Sequence, residues 1–373
     1  MPPLVIDLAA ADDSRDVVHR AVQALAEGKL VALPTETVYG LAALATDAAA
    51  VDRLLSAKHR PANQPLALAV KSADDALDYV PNLSPLGRRL ARRCWPGPLT
   101  LVVPDRHPES LLTRLPASVR TAVLHDDAIG LRVPAHPAVI DIMKMLAGPL
   151  VLTSANRSGQ ADAITAEQVV AALGDTVQLV INDGPAQLGQ PSTVVRVHDN
   201  QFSVLRQGVM PEQTLRRLSA LMIMLVCTGN TCRSPMAEAI CRKLLAERLG
   251  CKIEELPQRG VLVTSAGLAA MGGSRASPEA VAVLSQCGLT LEQHESQPVT
   301  EQLVRQADHI WTMTRAHRQM LVAEWPDAAA RTETLSRDQI DIADPIGGPV
   351  EYYRKCAEQI QAELAVRVAE LEL

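Results

Sequence analysis

The chain has 373 residues, of which 47% are hydrophobic and 21% charged, with a formal net charge of -6. That composition supports buried cores and excludes bulk disorder, and a length of this order divides into two domains or at most three. Lys and Arg number 21 against 22 Asp and Glu over residues 1–220, and 15 against 20 over 221–373, so neither half carries the basic excess of a protein that lives on nucleic acid.

No apolar run approaches the ~20 residues of a membrane span. The opening stretch, MPPLVIDLAAADDSRD, has acids where a signal peptide needs cations. Seven Cys without CxxC or zinc spacing read as cytosolic thiols, so a cytoplasmic location with no membrane partner is expected. Aromatics are scarce, at three Trp, four Tyr and one Phe.

In chain order, Asp13 to Glu27 has a helical apolar pattern closed by Gly28, and Lys29 to Pro34 reads as a short strand. Ala49 to Lys58 is helical and Leu66 to Val70 a strand. Further strands are expected at Leu99–Val103, Ile129–Val133, Leu150–Thr153, Leu179–Ile181, Ser192–Val197 and Phe202–Leu205. Helical runs fall near Ser84–Cys94, Ala138–Leu146 and Thr165–Leu173. The pattern is α/β, with a sheet of about seven strands. A boundary lies between Arg206 and Met222, bridged by a helical connector over Pro211–Ala220.

The second half opens on a buried strand, Leu221–Val226, followed by CTGNTCRSP and a helix from Pro235 to about Leu249. Strands at Val261–Thr264, His309–Met313 and Thr332–Leu335 alternate with helices at Pro278–Cys287, Glu301–Ala307, Arg315–Glu324 and Glu351–Leu371. Regular βα alternation predicts a parallel, doubly wound sheet.

The most specific signal is the run Cys227, Thr228, Gly229, Asn230, Thr231, Cys232, Arg233, Ser234, Pro235 between that strand and its helix. Loop amides and a helix N-terminus aimed at one spot favour a dianion, and the same field favours a thiolate nucleophile at Cys227. Arg233 offers a planar fork to two phosphate oxygens. Ser234 suits the cap, Pro235 the first helical position, and Gly229 a close approach or positive φ. A leaving-group acid is also needed, and Asp344, before Pro345 in a late loop, is the candidate.

Residues 222–373 resemble the low-molecular-weight protein-tyrosine-phosphatase family, through VCTGNTCRSPMAEA, TSAG at 264–267, DHIWTMTRAH at 308–317 and DIADPIGGPVEYYRKCAEQI at 341–360. The resemblance implies Cys227 as nucleophile, Arg233 as phosphate binder and Asp344 as general acid. It makes Ser234 and Asn230 loop stabilisers, within a phosphate loop also comprising Thr228, Gly229, Thr231 and Cys232. It further implies a phosphocysteine intermediate without a cofactor, and a redox guard at Cys232. Tyrosine-specific relatives place aromatics after Asp-Pro and after the SAG motif. Here Ile346-Gly347-Gly348 and Leu268-Ala269-Ala270-Met271-Gly272-Gly273 stand in those places. Thr231, where those relatives have Ile, resembles the bacterial protein-arginine-phosphatase branch, so phosphoarginine is placed ahead of phosphotyrosine. Against this, that branch has an aromatic where Ile346 stands.

In the first half, Thr35 within PTETVYGL, Lys58 and Arg60 before Pro61, Ser154 and Asn156 within TSANRSG, Ser192-Thr193 and Arg206 punctuate strand and helix ends. Read from residues alone, these are an anion or nucleotide pocket or, about as readily, ordinary caps and turns. Together with WPGPLT at 95–100 and LRVP at 131–134 they resemble the YrdC/Sua5 family over about residues 4–215. That resemblance implies threonylcarbamoyl-AMP synthesis from L-threonine, bicarbonate and ATP, with release of pyrophosphate and later transfer to tRNA by a partner threonylcarbamoyl-transferase complex. Thr35, Arg132 and Ser192 would hold threonine. Lys58, Arg60, Ser154, Asn156 and Arg206 would hold ATP, with Mg²⁺ on the triphosphate and no metal ligands from the protein. The chain departs from some relatives in having no His over Leu66–Val70 and Ala128 before the Arg-x-Pro segment. The expected organisation is a synthase over 1–215 and a phosphatase over 221–373. The rival is an RNA-binding module joined to a non-catalytic phosphoprotein reader.

Overall fold

A computed structural model describes residues 2–59, 64–105 and 107–373. The chain divides into two compact units, Met1–Leu215 and Arg216–Leu373, with the division inside the short helix Glu212–Ser219.

Among the described residues of the first unit, an eleven-stranded mixed sheet replaces the expected seven or so. From one edge, its strands are Leu4–Asp7, Leu179–Asn182, Val31–Leu33, Gly40–Leu44, Leu150–Ser154, Ala67–Ala69, Ala128–Arg132, Leu99–Pro104, Thr193–His198 and Gln201–Arg206. Leu124–His125 hangs on Ala128–Arg132. The strands beyond expectation have physical reasons for being hard to see. Leu4–Asp7 is a mostly exposed edge strand without the alternation of a half-buried one. Gly40–Leu44 is built of Gly, Leu and Ala, poor strand formers on their own, and is buried between two neighbours.

Helix Ser14–Ala26 starts where Asp13 accepts from the Arg15 amide, and it buries Val17, Val18, Ala21 and Leu25. It packs with helix Pro137–Met145 and strands Val31–Leu33 and Leu179–Asn182 into one core. Helix Ala48–Lys58 is capped by Asp47 and ends on His59 in the left-handed region, φ 49°.

The second unit has four parallel strands in the order Val261–Gly267, Leu221–Cys227, His309–Thr312, Thr332–Thr334. Leu221–Cys227 is buried at every position, and its side chains alternate between two cores. Ile223, Leu225 and Cys227 face helices Arg233–Leu249, Pro278–Gln286 and Val350–Glu370, whereas Met224 and Val226 join Val304, Ile310 and Leu321 on the other side. This is the doubly wound arrangement, in which ligand sites gather at the carboxyl ends of the strands. Cys227 is the last residue of its strand, in register with Gly267, the last residue of the next.

Candidate functional site

In the second unit the segment 228–232 turns from strand to helix around the Cys227 sulfur. Sγ accepts from the Asn230 amide at 3.3 Å and lies 3.0 Å from the Ser234 hydroxyl. The helix begins at Arg233 with Cys232 at its cap, two residues earlier than expected. Ser234 therefore is not the cap. It sits in the first turn with its hydroxyl directed at the Cys227 sulfur. The expectation for Gly229 also changes, because the positive φ, 55°, falls on Asn230.

Asn230 is fully buried, and its side chain explains why a non-glycine residue tolerates that conformation. Nδ2 donates to Ser234 Oγ and Ser265 Oγ, each at 2.9 Å, and Oδ1 accepts from the Gln297 amide at 2.9 Å. Ser265 in turn donates to Glu238 at 2.6 Å, and His294 Nε2 meets the Asn230 carbonyl at 2.7 Å. The close approach lies at Gly267, where a Cβ would come within 2.5 Å of the Thr228 carbonyl oxygen and 2.9 Å of the Asn230 amide. The TSAG segment ends in glycine because the loop lies directly on it.

Arg233 is 5% exposed. Its Nη2 pairs with Asp344 Oδ2 and reaches Thr228 Oγ1 at 3.4 Å, and Nη1 donates to the Ile342 carbonyl at 3.3 Å. The bend thus carries the sulfur at its start and, at its end, the guanidinium that pairs with the late carboxylate. Thr231 Oγ1 and the Tyr353 hydroxyl each stand 3.6 Å from Cys232 Sγ. Both Cys227 and Cys232 are free thiols. Burial pushes Cys356 up to about 12 and raises Cys241 as well, which keeps those two as inert thiols.

In the first unit a cavity of about 690 Å³ is lined by Thr35, Arg132, Ser154, Ser192 and Arg206 together with Leu68, Val102 and Leu152. Arg132 ends one strand, and its Nη2 donates at 2.7 Å both to Glu36 Oε1 and to Thr37 Oγ1. Its Nε is buried and unpartnered. Thr35 Oγ1 donates to the Val38 carbonyl at 2.6 Å. Arg206 donates to the Ser192 carbonyl and hydroxyl at 2.8 and 3.2 Å, and burial lowers its pKa. Lys58 is buried, and its ammonium is held by the chain itself. It donates to the Ser154 carbonyl, to the Asn156 carbonyl at 2.7 Å and to Asn156 Oδ1 at 3.1 Å. Ser154 Oγ donates to the same Oδ1 at 2.6 Å. Arg60 lies outside the described residues. Among the described residues, no group of three or more His, Cys, Asp or Glu stands where it could hold a metal ion, and no helix is long and apolar enough to cross a membrane.

Reading by residue type passed over Glu36 and Thr37, which hold Arg132, and Gly267, His294 and His317, which bear on the loop. Glu36, Thr37, Gly267 and His317 stand inside the motifs quoted above. His294 lies outside every quoted motif, in a stretch with no periodic signal.

The Sua5_yciO_yrdC family model, described as "Telomere recombination", matches residues 23–208, and the "Low molecular weight phosphotyrosine protein phosphatase" model matches 222–372. The first half is 34% identical over 192 residues to a Threonylcarbamoyl-AMP synthase of Pyrococcus abyssi, covering 52% of this chain and 54% of that one. It is 34% identical over 206 residues to the Threonylcarbamoyl-AMP synthase of Mus musculus, covering 53% of this chain and 69% of that one. The chain thus spans only about half the length of the P. abyssi relative. A solved P. abyssi Sua5 structure shares the fold, with TM-score 0.52, 24% identity and coverage of 70% of this chain and 91% of that chain. The second half is 40% identical over 152 residues to a Protein-arginine-phosphatase of Geobacillus stearothermophilus, covering 40% of this chain and 93% of that one. The chain therefore belongs to two families, Sua5/YciO/YrdC in its first half and the low molecular weight phosphotyrosine protein phosphatases in its second.

Proposed function

We propose that the protein is a cytoplasmic bifunctional enzyme, with a synthase over residues 1–215 and a phosphatase over 221–373. For the phosphatase, the carrying observation is the bend between strand and helix, with the Cys227 sulfur held at its start by Ser234 and the Asn230 amide and Arg233 paired with Asp344 at its end. The sulfur attacks phosphorus, and the Arg233 fork follows the equatorial oxygens into the transition state. Asp344 gives its proton to the leaving atom. The S–P bond of the resulting phosphocysteine is then broken by water, whose proton returns to Asp344. The Ser234 hydroxyl and the Asn230 amide stabilise the sulfur as it leaves, and Cys232 guards it by forming a disulfide under oxidation. In full-length protein, Cys227→Ser abolishes turnover of p-nitrophenyl phosphate while inorganic phosphate still binds; retained turnover assigns the nucleophile elsewhere.

The substrate is a phosphoprotein, with phosphoarginine preferred to phosphotyrosine. Thr231 in the loop supports this, as do Leu268-Ala269-Ala270-Met271-Gly272-Gly273, which offer no aromatic for a phosphotyrosine ring to stack on. Phosphoarginine and phosphotyrosine peptides compared on wild type and Thr231→Ile test it. An unchanged preference removes Thr231 from the argument.

For the synthase, the carrying observation is the cavity that gathers Thr35, Arg132, Ser192, Ser154 and Arg206. Thr35, Arg132 and Ser192 hold L-threonine. Lys58, Arg60, Ser154, Asn156 and Arg206 take the ATP side, with Lys58 and Asn156 shaping the wall behind Ser154. Cations and hydroxyls in this wall fit a nucleotide's phosphates, so Mg²⁺ arrives as part of the nucleotide substrate. The threonine amine and bicarbonate form a carbamate with loss of water. A carbamate oxygen then attacks the α-phosphorus and pyrophosphate leaves. The threonylcarbamoyl-adenylate passes to tRNA through a partner complex. Full-length protein is expected to release pyrophosphate only when ATP, threonine and bicarbonate are all present; threonine-independent release overturns this reading.

A further inference from the structure

His317 heads the helix Arg315–Glu324, where Thr314 caps its backbone amide. It is 7% exposed, and the mechanism above makes no use of it. Its Nε2 lies 2.9 Å from Thr228 Oγ1, the hydroxyl that also accepts from Arg233 Nη2 at 3.4 Å. The other ring nitrogen, Nδ1, is buried without a hydrogen-bond partner. An orphaned buried polar atom beside an arginine–carboxylate pair is unfavourable, and a leucine of similar size would avoid it. A ring kept there despite that has its worth in the contact made by Nε2.

We propose that His317 is a positioning residue for the phosphate site: its Nε2–H fixes Thr228 Oγ1 as an acceptor, so that the threonine O–H is left to donate to a phosphoryl oxygen beside Arg233. A hydroxyl has two lone pairs and one proton. With Arg233 Nη2 on one lone pair and His317 Nε2–H on the other, the proton is the remaining direction of bonding. This tautomer leaves Nδ1 as an unsatisfied acceptor, less costly than an unsatisfied donor. Burial and the nearby Arg233 charge hold the imidazole down to about 4, so it is neutral at pH 7. The site gains a fixed donor without a second cation competing with Arg233 for the phosphate. Without His317, Thr228 can turn its proton toward any acceptor, and the orientation is no longer prepaid.

The proposal rests on the phosphatase reading, and the experiment separates the two. In the full chain, p-nitrophenyl phosphate kinetics and inhibition by inorganic phosphate are measured for wild type, His317→Leu, His317→Gln, Thr228→Val and the double variant His317→Leu/Thr228→Val. Loss of an oriented donor to a charged group is expected to lower kcat about 10- to 100-fold in His317→Leu and to weaken phosphate inhibition. His317→Gln, whose amide N–H reaches the place of Nε2, is expected to restore most of that rate. In the Thr228→Val background, His317→Leu is expected to have no further effect. Multiplying effects in the double variant, no rescue by Gln, or a wild-type rate in His317→Leu each overturn the proposal. If His317→Leu does not fold, His317→Asn replaces it, since its shorter amide reaches only the place of Nδ1; a rate equal to that of Gln then overturns the idea. Turnover that survives Cys227→Ser overturns the reading of Cys227 as nucleophile on which the proposal rests.

Discussion

Arg233 and Asp344 form an ion pair across 111 residues of sequence, joining the start of helix Arg233–Leu249 to the loop before the last helix of the second unit. The guanidinium is 5% exposed and the carboxylate 42%, so the pair has a fixed member and one that reaches solvent. That asymmetry suits a cation that binds phosphate and an acid that meets a leaving group arriving from outside.

Asp344→Asn is expected to keep the carboxamide on Arg233 but to remove the proton. Rates on phosphate esters with poor leaving groups should fall about 10²- to 10⁴-fold, while p-nitrophenyl phosphate, whose leaving group needs little help, loses far less. A Brønsted plot over a series of aryl phosphates checks this, and equal losses across the series contradict the acid role.

Gly267→Ala places a methyl group 2.5 Å from the Thr228 carbonyl oxygen and 2.9 Å from the Asn230 amide. Both are backbone atoms that cannot swing aside. Overpacking of this kind costs about 1–3 kcal/mol, read by urea unfolding, and is expected to weaken inhibition by inorganic phosphate together with kcat.

Glu36 and Arg132 are a mostly buried pair, with side-chain exposures of 8% and 11%. Glu36 also accepts from the Ala135 amide at 3.0 Å. Breaking such a pair costs about 3–5 kcal/mol, so Glu36→Ala should unfold well before wild type. Glu36→Gln keeps the shape but frees Arg132 to turn, and it is expected to raise the KM for threonine about tenfold with the KM for ATP unchanged. Parallel titrations of the two substrates in the pyrophosphate assay decide it.

His317 makes stability depend on pH. Its folded-state pKa of about 4 lies below the ordinary 6.5, so between those values the unfolded chain takes up a proton that the folded chain refuses. The difference in unfolding free energy between wild type and His317→Gln should therefore be flat above pH 7 and should move against wild type as pH falls from 6.5 toward 4. Denaturant melts at steps through that window measure it.

The phosphate loop was legible because its signal is local: a fully apolar strand, five consecutive loop residues and a helix start. What surrounds it was not. Gly267, His294 and His317 reach the loop through strand register and helix placement, and no residue spacing encodes that contact. Ser234 was assigned a capping role by residue type, but its hydroxyl faces Cys227 because the helix starts two residues earlier. In the first unit, Val31–Leu33 stood out as an apolar run, whereas its neighbour Gly40–Leu44 is a strand only because two others enclose it. The cavity residues were visible as polar punctuation at element ends. That Lys58 would be held by the carbonyls of Ser154 and Asn156 followed from no pattern in the chain.

The most direct test measures both activities on one full-length variant, Cys227→Ser. The account predicts that p-nitrophenyl phosphate hydrolysis is lost, while pyrophosphate release remains at the wild-type rate and still requires ATP, threonine and bicarbonate together. Surviving phosphatase turnover, or pyrophosphate release that continues without threonine, would contradict it.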